Sequence, residues 1–221
     1  MKDTMNVVEF NSQNKQTYSP RIIELYRKVF SESSWQEWLK CGNNCGFNCS
    51  YSAAPSDNRC LLCQEELTDF YSQEDVEWFI QNFLQKSKYQ ACLWIDQSDQ
   101  VIAFTWWWVD NLLWLNMEKL WLNQNEFTLL SQQLSQIWCD PQKDFYYRSE
   151  TWVDPDKQSL WFWKQITTIE EQSVISKSQI QQILERTSRT SAMFNIARRQ
   201  WFKIVYDYKD NAQRVLLAKN N

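Results

Sequence analysis

The stretch "TWVDPDKQSLWFWKQI", residues 151–166, decides how the rest of the chain is read. Thr151 to Val153 read as strand, Asp154-Pro155-Asp156 as its stop, and a long amphipathic stretch begins near Gln158. A strand–turn–helix junction suits a phosphate, because the first turn of a helix offers several N–H groups with no intrahelical partner. Such a cradle needs glycine, so that the main chain can approach its ligand. Here the turn carries Trp161, Phe162 and Trp163.

Composition sharpens that oddity. The 221 residues include 14 Trp and only 2 Gly, whereas average usage of about 7% would give roughly 15 Gly in this length. Trp and Gly together number 16, close to what Gly alone should supply with a few Trp added. A net charge of −4 and a pI near 5.1 give no electrostatic case for nucleic acid or an anionic membrane surface. No apolar run reaches transmembrane length, and MKDTMNVVEF lacks a signal-peptide core, so the chain reads as soluble and cytoplasmic. With no His, mechanisms built on imidazole are excluded.

Working outward, Asn6 to Phe10 is a strand candidate, and Pro20 opens a helix with Ile22, Ile23, Tyr26 and Phe30 on one face. Residues 41–63 are rich in Cys, Asn and Ser without periodicity and read as a loop or insertion. A helix over about Gln73 to Lys86 has Ser72 as its N-cap. "YQACLWID" and "QVIAFTWWWV" form a hairpin across "QSDQ"; a polar stretch to Asn125 then precedes a helix in "EFTLLSQQLSQI". "KDFYYRSETWV" is the central strand and the helix to about Ser176 follows it. "QIQQILERT" reads as strand, "SAMFNIARRQ" as a short helix, and "FKIVYDYKD…QRVLLAK" as a closing hairpin. This order indicates an α/β domain with a mixed sheet.

From Asn6 to Lys219 that order resembles the GNAT superfamily of N-acetyltransferases. "QVIAFTWWWV" resembles the family's third strand, "vvGfawg", and "SETWVDP" its fourth, "eigVdP". "QSLWFWKQI" stands in place of the "RGxGxGxxL" pyrophosphate loop, and "RTSRTSAMFNIARRQWF" resembles the late "RT…s…a…lGF" segment. The resemblance implies one domain over 1–221, with a mixed, mostly antiparallel central sheet flanked by helices and a small Cys-rich insertion at 41–63. Its departures follow one pattern: Trp107, Trp152, Trp161, Trp163 and Trp201 stand where the family has glycine or comparably small positions. Two explanations compete. In one, a Trp-rich relative has filled its acyl-CoA loop and lost catalysis. In the other, UGA codons that some bacterial lineages read as Gly have been rendered as Trp, with Trp35 or Trp106 among the genuine tryptophans.

The cysteines carry a second signal. Cys60-x-x-Cys63 is a good metal half-site, because a two-residue spacer lets both thiolates face one tetrahedral ion. Cys41 and Cys45 are the favoured other half with Cys49 in reserve, giving a structural zinc site of four thiolates; the alternatives are reduced, unmetallated thiols or a partial site. The only two glycines, Gly42 and Gly46, each follow a Cys, as knuckle turns often require. Cys92 and Cys139 read as core.

What the resemblance implies chemically is direct attack of an amine on the acetyl-CoA thioester. Glu150 is the candidate general base, with an exposed carboxylate paired with Arg148 as the bland alternative. Backbone amides at Trp152 and Val153 would meet the pantetheine and carbonyl, and those of Gln158, Ser159, Leu160, Trp161, Phe162 and Trp163 the pyrophosphate. Gln158 replaces the loop's common Arg. Ser191 and Asn195 would line the cofactor's far side, and Ala197 stands where the family usually has its thiolate-protonating Tyr. The acceptor is an unidentified small-molecule or protein amine, and the chain is expected as a monomer or homodimer, without nucleic acid or membrane partners. A non-catalytic GNAT-fold module and a zinc-stabilised interaction protein with a Trp surface are the alternatives.

Overall fold

The computed structural model describes residues 5–31, 38–43, 45–49, 53–86, 88–157, 160–178, 180–209 and 213–220. Within the helix over 160–178 it describes the side chains of 162–170 and 172. Trp35, Gln158 and Ser159 therefore lie outside the described residues, as do the side chains of Leu160 and Trp161.

The strands of the main sheet are β1 (Asn6–Glu9), β5 (Gln90–Ile95), β6 (Val101–Asn111), β7 (Asp144–Val153), β8 (Gln182–Ser188), β9 (Lys203–Asp207) and β10 (Arg214–Asn220). They follow the order β1-β5-β6-β7-β8-β10-β9, with β7 fourth of seven, the central strand expected from its sequence. β1 with β5, and β10 with both β8 and β9, pair antiparallel, while β7 and β8 pair parallel. The expected mixed, mostly antiparallel sheet with flanking helices is present. The chain divides into two compact units: 1–86, 91–104 and 152–158 form one, and 87–90, 105–151 and 159–221 the other.

In the first unit, helix α1 (Lys15–Ser31) buries Ile22, Ile23, Leu25, Tyr26, Val29 and Phe30. It starts five residues before Pro20, whereas the sequence places the proline at its opening. Asn14 accounts for the difference: its carbonyl accepts from Thr17 and Tyr18 N–H, and its side chain accepts from Asn11 N–H, closing the first turn ahead of the proline. Pro20 removes one donor, and the carbonyl it would have met belongs to Gln16, which is exposed and open to water. Helix α2 (Gln73–Leu84) has the expected cap in full. Ser72 accepts from Asp75 N–H and Asp75 accepts from Ser72 N–H, a reciprocal capping box.

A second sheet brackets the expected loop or insertion at 41–63: β2 (Leu39–Cys41) and β4 (Leu67–Asp69) flank it and β3 (Asn48–Cys49) lies within it, in the order β3-β2-β4. Strands of two and three residues are too short to display a period-2 pattern, which is why the sequence concealed them.

In the second unit, the stretch after β6 is helical where the sequence predicts only a polar connection. Asn111 caps helix α3 (Leu112–Leu115), and a π-helical turn (Asn116–Leu120) extends it. Helix α4 (Gln124–Gln136) then begins at a capping box of Asn123 and Glu126. Helix α5 (Leu160–Ser178) follows β7, and α6 (Ala192–Arg199) lies between β8 and β9. Among the described residues, no helix is long and apolar enough to cross a membrane.

Candidate functional site

Strand β7 carries the expected base. In the second unit its pairing with β8 runs Tyr146↔Ile183, Tyr147↔Leu184 and Arg148↔Glu185, and among the described residues it stops there. The rest of β8, from Arg186 to Ser188, pairs on its other side with Leu216, Val215 and Arg214 of β10. The parallel pair is thus joined only over the first half of β7, ahead of the helix that follows it. Residues 149–151 lie past that point, and Glu150 is half-buried among them, its carbonyl oxygen 3.2 Å from Thr105 Oγ1.

Arg148 is committed elsewhere than an exposed pair with Glu150. It is 2% exposed, and its Nε lies 3.0 Å from Glu170 and its Nη1 2.8 Å from Glu185, both also buried. Glu170 Oε1 also accepts from the hydroxyls of Thr105 and Thr151. This cluster ties helix α5 to β6, β7 and β8 and fixes the helix's register along the sheet. From the same helix, Thr167 accepts from Gln200 Nε2 at 2.9 Å, just past the end of α6. Sequence reasoning missed this cluster, although a signal is present. Trp163, Ile166, Thr167 and Glu170 fall at i, i+3, i+4 and i+7, one buried face of α5 that carries a carboxylate among apolar residues.

The remaining expected site residues divide as follows. Phe162 and Trp163, in the first turn of α5, are both buried, and that turn carries no acidic residue. A first turn with no carboxylate places no negative charge of its own at the positive end of the helix dipole. Val153 is buried, and Trp152 is half-buried with its ring 4.3 Å from Phe30 and 5.9 Å from Tyr26. Just beyond, Lys28 reaches Asp154 and Asp156, each at 2.7 Å, pinning the turn the sequence marked as the stop; those bonds raise the lysine's pKa. Ser191 is the N-cap of α6: it accepts from Phe194 N–H at 3.1 Å and donates to the Ser188 carbonyl at 2.8 Å. Asn195 is exposed and donates back to the Ser191 carbonyl at 3.5 Å. Ala197 is buried in α6. Two tyrosines are perturbed. Burial raises Tyr147 above the usual phenol range, whereas burial and a 2.7 Å bond to Glu126 push Tyr206 up to about 12. That same bond holds Glu126 below its ordinary value.

The insertion gathers four thiols. The Sγ atoms of Cys41, Cys45, Cys60 and Cys63 all lie within 4.8 Å of one another, with Cys41–Cys63 and Cys45–Cys60 each at 3.3 Å. All four are free cysteines. Cys49, the reserve ligand, instead packs against the small core of Leu39, Cys41, Cys60 and Leu67. Thiols this close cannot all ionise unaided. Burial opposes ionisation of Cys41, yet the N–H groups of Cys45 and Asn43 and the Cys63 side chain pull it down to about 7. Cys63 also receives the Glu65 N–H, but Cys41, burial and the other two thiols push it up to about 12. Cys139 is buried as expected and Cys92 is half-buried.

No protein-family model matches the chain, and no curated protein matches it. Solved structures do. FeeM, an N-acyl amino acid synthase from uncultured soil microbes, aligns with a TM-score of 0.57 at 9% identity, over 100% of this chain and 92% of its own. A mosquito arylalkylamine N-acetyltransferase-like protein, 5b, aligns with a TM-score of 0.57 at 8% identity, over 99% and 100%. NAA60 of Arabidopsis thaliana, solved with a bisubstrate analogue, aligns with a TM-score of 0.54 at 11% identity, over 99% of both chains. The sheet order, the half-joined parallel pair and these full-length likenesses agree: the chain has the GNAT acetyltransferase fold.

Proposed function

We propose that the protein transfers an acetyl group from acetyl-CoA to the amine of a small molecule or protein. The observation that carries this reading is the parallel pair β7–β8, joined only as far as Arg148↔Glu185 and followed by a helix whose first turn bears no acid. A strand that parts from its parallel neighbour opens room beside it for an extended ligand, and the first turn of a helix accepts phosphate through its N–H groups. The residues at hand fit the co-substrate in that respect.

In this reading the amine nitrogen forms a bond to the thioester carbonyl carbon, the C–S bond breaks, and the ammonium proton must leave before attack. Glu150, half-buried on β7 past the last residue paired with β8, takes that proton directly or through one water. Residues 149–151 and the stretch through Trp152 and Val153 offer backbone groups to the pantetheine arm and carbonyl. The N–H groups from Gln158 and Ser159 through Leu160, Trp161, Phe162 and Trp163 hold the pyrophosphate. Ser191 and Asn195 contribute on the far side only by exchanging their present bonds within α6.

A second reading has its own support. Ala197 offers no proton to a leaving thiolate, which favours a GNAT-fold module that binds without catalysis. Thiol release measured with acetyl-CoA and a panel of a polyamine, a lysine peptide and an aminoglycoside separates the two. Release that depends on an acceptor, with kcat falling about 10²-fold or more in Glu150→Gln, supports transfer. Binding of acetyl-CoA without release on any amine supports the module.

A further inference from the structure

We propose that Cys41, Cys45, Cys60 and Cys63 hold one structural zinc ion and that this ion organises the β2–β4 insertion. A tetrahedral zinc with bonds of about 2.3 Å to sulfur sets its ligands about 3.8 Å apart. The observed separations bracket that edge: two at 3.3 Å and every one within 4.8 Å. The Cys60 sulfur also accepts the backbone N–H of Leu62, two positions on, at 3.4 Å, a local turn that stabilises thiolate charge. The two glycines each follow a ligand, Cys41 and Cys45. Gly46 has φ +89°, and a Cβ on Gly42 would come within 3.1 Å of the Glu66 carbonyl oxygen.

Among the described residues the strands of this second sheet are three, two and three residues long, and its core is Leu39, Cys41, Cys60 and Leu67 with Trp38, Phe47, Cys49 and Ala54 packed against it. A core that small does not offset chain entropy, and small modules of this type fold on binding their metal. Four protein ligands close the coordination sphere, so the ion is structural rather than catalytic.

Metal analysis of the full chain, purified without chelator, tests this. The expected result is about one zinc per chain, and cobalt(II) exchanged into the protein should give the intense thiolate-to-metal absorption of a tetrahedral sulfur site. Cys49→Ser should keep the metal, and the double change Cys60→Ser with Cys63→Ser should lose it. If the double variant fails to fold, the zinc content and cobalt spectrum of the unaltered chain still decide. Stoichiometric iron instead of zinc, disulfides linking the four cysteines, or metal retained in a folded double variant would overturn the assignment.

A separate observation carries a second inference. Eight non-glycine residues among those described have positive φ, and three are tryptophan: Trp121 at 52°, Trp138 at 65° and Trp201 at 72°. Each stands just past a helical segment. After α4, Cys139 N–H bonds the Leu134 carbonyl and Trp138 N–H that of Ser135; after α6, Phe202 N–H bonds Ala197 and Trp201 N–H bonds Arg198. Both are Schellman motifs, whose left-handed residue is usually glycine. Trp121 closes the π-helical turn with its N–H on the Asn116 carbonyl. All three side chains project outward, 64%, 87% and 79% exposed; Trp121 carries the Arg186 guanidinium 5.2 Å from its ring centre, and exposure this high leaves little burial to offset the backbone cost at Trp138 and Trp201. We infer that these three positions are glycine in the native protein, encoded by UGA.

Peptide masses from the source organism, set beside the gene's codons, test this. Glycine at residues 121, 138 and 201 over UGA codons is the expected result; tryptophan in those peptides over UGG codons would overturn it. In the chain carrying tryptophan, each of Trp138→Gly and Trp201→Gly should favour the folded state about fivefold or more. A loss of stability in both variants would show that the exposed rings are held for another purpose.

Discussion

The buried cluster of Arg148, Glu170 and Glu185 is the feature whose removal should be felt most. Arg148→Met fills similar volume but leaves two carboxylates, 0% and 3% exposed, without the guanidinium that lies 3.0 and 2.8 Å from them. Removing one partner of a buried pair costs about 3–5 kcal/mol, against a total stability of about 5–15 kcal/mol for a typical protein. With a urea slope of about 2–3 kcal/mol/M for a chain of this size, the unfolding midpoint should fall by roughly 1–2 M. Urea titration followed by tryptophan fluorescence reads it. Combining Arg148→Met with Glu170→Gln and Glu185→Gln removes all three charges and keeps an acceptor for Thr105 and Thr151, so much of the loss should return. A single-variant shift below about 0.3 M, or a triple variant worse than the single, would mean the cluster is not desolvated as described.

Other expectations follow from named contacts. Ser72→Ala breaks the capping box of α2 and should lower stability by about 1 kcal/mol in the same titration. Glu126 is held below its ordinary pKa by Tyr206, so its contribution is present above the unfolded value of 4.5 and is lost as pH falls through the folded value. Tyr206 is raised from 10.0 to about 12, so its share is present below 10.0 and is lost as pH rises through about 12. Tyr206→Phe should therefore lower the melting temperature near neutral pH, with the difference from wild type shrinking toward both extremes. A difference that grows on acidification would contradict that bond.

Much of the fold was legible because the elements that build it are long and periodic. β7 and α5 could be read directly from residues 144–178, and the cap at Ser72 is local chemistry. The three short strands of the insertion were not, since two or three residues carry no period. Pro20 misled because Asn14 starts the helix earlier than proline usually allows. Helix α3 and its π-helical turn were missed although Leu112–Leu115 is apolar, because so short a helix shows barely one turn of its period. In the candidate site, the four clustered cysteines were readable from spacing, and the place of Glu150 on β7 from the strand pattern. The Arg148–Glu170–Glu185 cluster depends on three elements meeting, and only Glu170 on an apolar helix face announced it. Among the tryptophans, Trp201 was marked by its family position, whereas Trp121 and Trp138 drew attention only through their positive φ. Trp107, by contrast, is buried and lies 5.6 Å from the Tyr146 ring, so its position shows no such backbone signature.

The most direct test of the central claim is calorimetric titration of acetyl-CoA into two proteins. One is the chain with tryptophan, and the other carries glycine at 107, 152, 161, 163 and 201. The account predicts saturable, one-to-one binding by the glycine form. It predicts binding weaker by several orders of magnitude in the tryptophan form, since each lost charge-assisted contact to the pyrophosphate costs about 1.5–3 kcal/mol. Equal, tight binding by both would show the tryptophans native and turned away from the ligand. A folded glycine form that binds no acetyl-CoA would contradict the claim that this GNAT fold serves acetyl transfer.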